Sequence, residues 1–282
     1  MKKQQTKFII DPDFEEKMRK SFYDEYYVEV TDQFVAWRNF VAISRTKNII
    51  DLCETLKIER VVDIGAGLCD TLFLLNKSNF GSEYYVLEVS PNVIQFIRSN
   101  VNIYRLKAVY LLDTNNTPFP NNFFDLGILS HVLEHVPNPT KLLRETLRIC
   151  KYVVVEVPLE NCLISNLYEG LYEKLTQRKR KDNRGGHIHF FTKTIIKNLI
   201  KTCNANLINE RNYRLREIFP KKSHLKNMLL TIRYSLFYVI FKITGSKIVA
   251  TNYSVLISSI HSINKLPQPN NCKTSPPTNS ET

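Results

Sequence analysis

The stretch from Val61 to Cys69, Val-Val-Asp-Ile-Gly-Ala-Gly-Leu-Cys, leaves this chain few folds to choose from. A short apolar run leads into two glycines one residue apart. Asp63 stands two residues before the first, and apolar residues resume at Leu72. This is the punctuation of a buried strand, a tight turn and a helix start. Glycine admits a sharp turn and lets a ligand approach the backbone with no Cβ in the way. The helix that follows offers N–H groups with no intrahelical partner at its N-terminus. In α/β folds such a turn holds nucleotide-like ligands, although glycine-rich turns also occur for packing alone.

Downstream, strand and helix patterns alternate. Strands are expected at 61–64, 84–89, 107–112, 124–130 and 152–157, the last ended by Pro158. Between them, a helix follows Cys69. Ser90-Pro91 reads as N-cap and first residue of another helix to about Asn100, and Asn138-Pro139 caps a third over Thr140 to Cys150. Thr192 caps a helix through Ile200, Ala205 to Tyr213 is a candidate sixth strand, and Lys247 to Ile260 ends in the alternation of a final one. Upstream, Thr31 to Leu56 is a long helical pattern with a break expected near Thr46. Its buried stripe is Phe34, Trp37, Val41, Ile49, Ile50 and Cys53. Strands that are apolar throughout and separated by helices predict a Rossmann-like, doubly wound α/β sheet with helices on both faces.

The 282 residues suit one domain with extensions, and 43% hydrophobic residues suffice for its core. Residues 1–30 are expected to be an N-terminal extension. Its aromatic cluster, Phe22 to Tyr27, either packs on the domain or forms a lid. The domain itself is expected over 31–264, with a helical insertion at about 214–247. From 265 to 282 the Pro, Asn, Ser and Thr content predicts a disordered tail.

The net charge of +12 is compatible with an anionic partner without selecting one. The basic run Arg178 to Arg184 is either a solvated loop or a contact for an anionic substrate. No RNA-reading module accompanies it, so no nucleic acid partner is expected. Six cysteines without a C-x-x-C pair read as free thiols in a reducing compartment. With no apolar run of roughly 20 residues and no signal-peptide pattern, a cytoplasmic location is expected. Residues 225–243 are apolar but interrupted by Lys226, Arg233 and Lys242. They would cap a pocket, pair with a second copy or lie on a membrane surface.

Ligands of an open parallel sheet bind at the carboxyl ends of its strands. The polar residues there are Asp63 with the glycine turn, Glu88, Asp113, and Ser130-His131. Glu88 is placed to accept hydrogen bonds from both hydroxyls of a ribose, and Asp113 from an adenine amine. In these features the chain resembles the class I S-adenosylmethionine-dependent methyltransferases with a small-molecule-type core. The matching residues are Asp63-Ile-Gly65-Ala-Gly67, Val86-Leu-Glu88-Val-Ser-Pro, Leu112-Asp113, and the run from Phe123 through Asp125, His131, Glu134-His135 and Pro137 to Pro139. The likeness spans about residues 55–205, with weaker support to about 260.

The resemblance implies seven strands with the last antiparallel, S-adenosylmethionine as cofactor, and methyl transfer to a small-molecule, sugar or lipid-linked acceptor. It implies that Gly65, Ala66 and Gly67 meet the methionine portion and that Glu88 and Val89 meet the ribose. Asp113 and Thr114 would flank the adenine, and Ser130 and His131 would line the sulfonium side. His135 is either pocket lining or a structural hydrogen-bonding residue. The family's third turn glycine is replaced by Cys69, from which only a change of packing is expected. An inactive cofactor-binding partner subunit of the same fold is the alternative.

Two other readings use the same residues. A nicotinamide dinucleotide fingerprint needs a third glycine where Asp70 stands, and a carboxylate there would repel a pyrophosphate. His131-Val-Leu-Glu134-His135 fits an inverted zinc-protease motif, which needs a helix to put both histidines on one face. Pro137 and Pro139 leave little room for that helix, so no metal is expected. His187 and His189 alternate around Ile188, so an extended segment turns both to one side, where they are either a candidate general base or part of a structural turn held by Gly185-Gly186.

Overall fold

The computed structural model describes residues 32–112, 117–159, 187–213 and 252–260. The aromatic cluster, Asp113-Thr114, the basic run, the 214–247 segment and the C-terminal tail lie outside the described residues. The elements are α1 (Asp32–Leu52), β1 (Arg60–Ile64), α2 (Asp70–Lys77), β2 (Glu83–Glu88), α3 (Pro91–Asn100), β3 (Leu106–Leu111), β4 (Phe124–Ser130), α4 (Pro139–Ile149), β5 (Cys150–Pro158), α5 (Lys193–Thr202), β6 (Ala205–Tyr213) and β7 (Asn252–Ser259).

The seven strands form one sheet in the order β3-β2-β1-β4-β5-β7-β6. The first five run parallel, and β7 lies antiparallel to both β5 and β6. Chain order reverses between β1 and β4, which places the ligand crevice at their carboxyl ends. Both faces of the central strands are apolar. Val62, Ile64, Leu129, Val153 and Val155 pack in one core with Leu142, Leu143 and Leu147 of α4 and Ile196 and Ile200 of α5. Val61, Leu126, Ile128 and Val154 pack in the other with Ile49 and Leu52 of α1, Leu72 of α2 and Val93 of α3. A period-two strand with both sets apolar has to be covered twice.

The expected caps form. Ser90 Oγ accepts from Val93 N, Asn138 Oδ1 from Lys141 N, and Thr192 Oγ1 from Ile195 N. The expected break in the first helix does not occur, and α1 runs unbroken from Asp32 to Leu52. Thr46 is buried, and its hydroxyl lies 3.5 Å from the Thr71 carbonyl of α2. That contact uses the hydroxyl between helices, where it does not compete with the backbone of α1. β5 is also longer than expected. It starts at Cys150, directly after α4, and Pro158 still pairs with Asn252.

The strand-opening motif is structural. Asp125 accepts from Glu59 N and Arg60 N at 3.0 and 2.8 Å and from Lys151 Nζ at 2.6 Å. Burial would raise its pKa, but these donors hold it below the usual value. Asp125 thereby aligns the starts of β1, β4 and β5. Gly127 admits α4 and the start of β5, since a Cβ there would fall 2.6 Å from Cys150 Sγ.

Arg148 of α4 clamps the loop before β4. It donates to both oxygens of Glu145 at 2.7 and 2.8 Å, to the Phe119 carbonyl at 2.8 Å and to Asn121 Oδ1 at 3.0 Å. Glu145 also accepts from the Thr117 backbone and hydroxyl. Arg148 above all, with Thr117, draws the Glu145 pKa down from 4.5 to about 2. A depressed acid contributes stability above its unfolded pKa and loses it as pH falls through the folded one. Thermal melts of the parent and of Glu145→Gln should therefore differ most above about pH 4.5 and converge toward about pH 2. A difference between them that does not change with pH would contradict this.

Candidate active site

The glycine turn sits at the carboxyl end of β1 in the crevice. Gly65 and Gly67 take positive φ values of 73° and 55°, and Cys69 follows at 62°. Cys69 holds the left-handed position just before α2, a conformation that favours glycine and costs another residue about 1–2 kcal/mol. That is the structural meaning of the missing third glycine. The Cys69 side chain is wholly buried, and burial pushes its thiol well above the ordinary pKa, so it is not a thiolate. Gly65 is tight for a different reason: a Cβ there would lie 2.8 Å from Cγ2 of Val132. The residues after β4 thus pack directly on the turn.

Glu88, at the end of β2, faces this turn and is almost fully buried. Its Oε2 accepts from Gly67 N at 3.0 Å, and its Oε1 accepts from Val89 N at 2.8 Å and Ser90 N at 3.3 Å. Three backbone donors fix this carboxylate beside the turn. Asp63 is also buried. Burial lifts its pKa to about 7, with Glu88 adding to the rise and Arg45 opposing it. Ala66 lines a cavity of about 40 Å³ with Arg38, Val41, Arg45, Asp70 and Thr71.

Helix α1 contributes residues that periodicity did not single out. Arg38 and Arg45 are seven apart, two helical turns, and share a face. Arg38 pairs with Asp70 at 2.5 Å, so the acid at the start of α2 is neutralised by a neighbour. Arg45 Nε donates to Glu156 Oε1 at 3.1 Å.

Glu156 is the third residue that sequence reasoning missed. It is wholly buried on β5 and binds Arg45, Ser130 Oγ at 3.2 Å and Ser254 Oγ at 3.1 Å. Its signal was a lone carboxylate in a strand of valines, Val153-Val-Val-Glu156-Val157. His131 lies between Glu156 and Glu134. Nε2 is 3.2 Å from Glu156 Oε1, and Nδ1 is 3.3 Å from Glu134 Oε1. Burial and Arg45 pull the His131 pKa down, yet the two carboxylates prevail and it ends above the ordinary value. His131 also takes a positive φ of 57°, a strained backbone held by His131 N donating to the Glu156 carbonyl at 2.9 Å.

Residues 131–137 form turns and no helix. The zinc-protease geometry is therefore absent from this segment, as the prolines dictate. The 187–189 segment nevertheless docks here, because the Glu134 carbonyl accepts from Ile188 N at 2.8 Å and His189 N at 3.2 Å. The His187 ring packs edge-on against His135 with centroids 4.8 Å apart. His189 Nε2 lies 2.9 Å from the Val136 carbonyl. A carbonyl only accepts, so Nε2 carries the hydrogen and Nδ1 is the basic nitrogen of His189.

The structure thus gathers Asp63, Gly65, Ala66, Gly67, Glu88 and Val89 at the turn. It places Ser130, His131, His135, His187 and His189 beside it. Asp113 and Thr114, expected on the adenine side, lie outside the described residues.

A family model described as a methyltransferase domain matches residues 23–210. Among solved structures, a SAM-dependent methyltransferase from Archaeoglobus fulgidus aligns with TM-score 0.51 at 16% identity, covering 86% of this chain and 97% of the other. The [4+2]-cyclase SpnF aligns with TM-score 0.52 at 12% identity, over 77% and 80% of the two chains. At these identities the likeness is one of fold. No curated protein matches the sequence.

Proposed function

The chain belongs to the methyltransferase-domain family and is a class I S-adenosylmethionine-dependent methyltransferase, and from that premise we propose that its acceptor is a small molecule, a sugar or a lipid-linked compound. The residues at the turn fit the cofactor. Glu88 is a backbone-anchored carboxylate of the kind that takes ribose hydroxyls, and it is the single observation that carries the assignment of the site. When bound, S-adenosylmethionine supplies a methyl carbon made electrophilic by positive sulfur.

The chain's own residues bind, orient and exclude water. Gly65 and Gly67 admit the methionine portion, and Asp63 faces its ammonium group. Ser130 and His131 line the methyl side. The acceptor needs chiefly to be held in line with the methyl carbon, since alignment supplies much of the rate. A hydroxyl acceptor also loses a proton, for which His187 and His189 Nδ1 are candidate bases. The wall of His131, Glu134, His135 and His187 favours a polar acceptor over an apolar one, and the charge of +12 is compatible with an anionic one.

Calorimetry with S-adenosylmethionine and S-adenosylhomocysteine, followed by a methyl-release assay over hydroxyl, amine and lipid-linked acceptors, tests the reading. Binding of both ligands and turnover on a polar acceptor are expected. Absence of binding to either ligand would overturn the cofactor site. Turnover on a large nucleic acid or protein alone would overturn the acceptor class.

A further inference from the structure

The last wall of the crevice holds a carboxylate and two imidazoles that methyl transfer by alignment does not require. Glu134, His135 and His187 each place one ligand-type atom so that all three lie within 4.8 Å of one another. Glu134 has no exposed side-chain surface, and apart from its contact with His131 and its own backbone its side-chain oxygens find no hydrogen-bond donor among the described residues. His131 stands 3.3 Å from Oε1, and His135 also faces the carboxylate. A wholly buried carboxylate with one oxygen left to imidazole neighbours is a natural partner for a further cation. His135 and His187 are only partly buried, so their rings can adjust toward it.

We propose that Glu134, His135 and His187 bind a divalent first-row transition-metal cation, and that its remaining coordination positions take an oxygen of the acceptor. Two imidazoles and one carboxylate suit zinc, manganese, iron or cobalt better than calcium or magnesium, which favour all-oxygen sites. Tetrahedral ligands at about 2.1 Å from zinc lie about 3.4 Å from one another. The trio therefore closes by up to about 1.4 Å on binding, within reach of side-chain rotation. Three protein ligands leave at least one position open, the arrangement of reactive and not of purely structural metal sites.

The surroundings support the trio. His131 Nδ1 stands against Glu134 Oε1, as a second layer does around a ligating carboxylate. The Glu134 carbonyl fixes the 187–189 segment, so the same residue supplies one ligand and positions another. Val132, two residues before Glu134, packs on Gly65 of the cofactor turn. A cation here would hold and polarise an acceptor hydroxyl next to the methyl donor. This second half rests on the methyl-transfer reading, whereas metal binding does not.

The test uses the full chain with any purification tag removed and metals stripped by a chelator. Titration with Co²⁺ should give visible d–d bands that saturate at one equivalent, and Zn²⁺ should abolish them. His187→Ala should weaken Co²⁺ binding by at least about 100-fold while leaving S-adenosylhomocysteine affinity unchanged by calorimetry. Glu134→Gln, checked for folding by circular dichroism, should do the same to the metal. Absence of the bands, or the same Co²⁺ affinity in parent and His187→Ala, would overturn the metal site. Saturating Co²⁺ binding with methyl release unaffected by the chelator would overturn the acceptor half. Loss of S-adenosylhomocysteine binding in the parent is a separate result and bears on the cofactor reading alone.

Discussion

Replacing Glu88 with alanine is expected to weaken S-adenosylmethionine binding by about 100-fold, or about 3 kcal/mol, since a hydrogen bond to a charged group is worth roughly 1.5–3 kcal/mol. The loss has two sources. The ribose hydroxyls lose their charged acceptor. Gly67 N, Val89 N and Ser90 N also lose the carboxylate that now ties the turn to the end of β2. Glu88→Gln separates the two, because an amide keeps one acceptor oxygen and loses the charge. It should lie between the parent and the alanine variant. Calorimetry with S-adenosylhomocysteine measures all three. An unchanged dissociation constant for Glu88→Ala would show that this acid does not face the cofactor.

The largest effect on stability is expected at Glu156. Glu156→Ala leaves Arg45 without its carboxylate partner and strips the acceptor from Ser130 and Ser254. Removing one member of a buried ion pair costs about 3–5 kcal/mol. At about 2–4 °C per kcal/mol for a domain of this size, the melting temperature should fall by about 6–20 °C. Arg45→Ala should cost less, because His131 and the two serines still face Glu156. The double variant should cost less than the sum of the two, as residues in one network are not additive. A melting temperature within about 2 °C of the parent for Glu156→Ala would mean that this carboxylate is not the centre of the network.

The strand-end residues were legible because each follows from local pattern. An acid or a glycine turn just past an apolar run has its position set by where that run stops, so Asp63, Gly65, Gly67 and Glu88 came out in place. The caps at Ser90, Asn138 and Thr192 were legible for the same reason: the side chain bonds a backbone group three residues away. Cys69 in place of a glycine predicts only a modest change of packing, and the backbone adds that it occupies a left-handed position. Thr46 misled because its local preference is to compete with the helix backbone, a preference that contact with Thr71 redirects.

The sequence by itself determined the order of strands and helices, the glycine turn and the position of an acid at the end of β2, since these depend on neighbours within a few residues; that Glu88 turns back to meet Gly67 N, 21 positions away, was left to the fold. Only the tertiary structure decided what surrounds them. Arg45 meets Glu156 across 111 positions, and Ser254 meets it across 98. His187 reaches Glu134 and His135 because two backbone amides close on one carbonyl more than fifty residues earlier in the chain. No local periodicity encodes such pairs. They exist because the doubly wound sheet brings the carboxyl ends of β1, β4 and β5 together, and buried charges there must find partners wherever the fold delivers them.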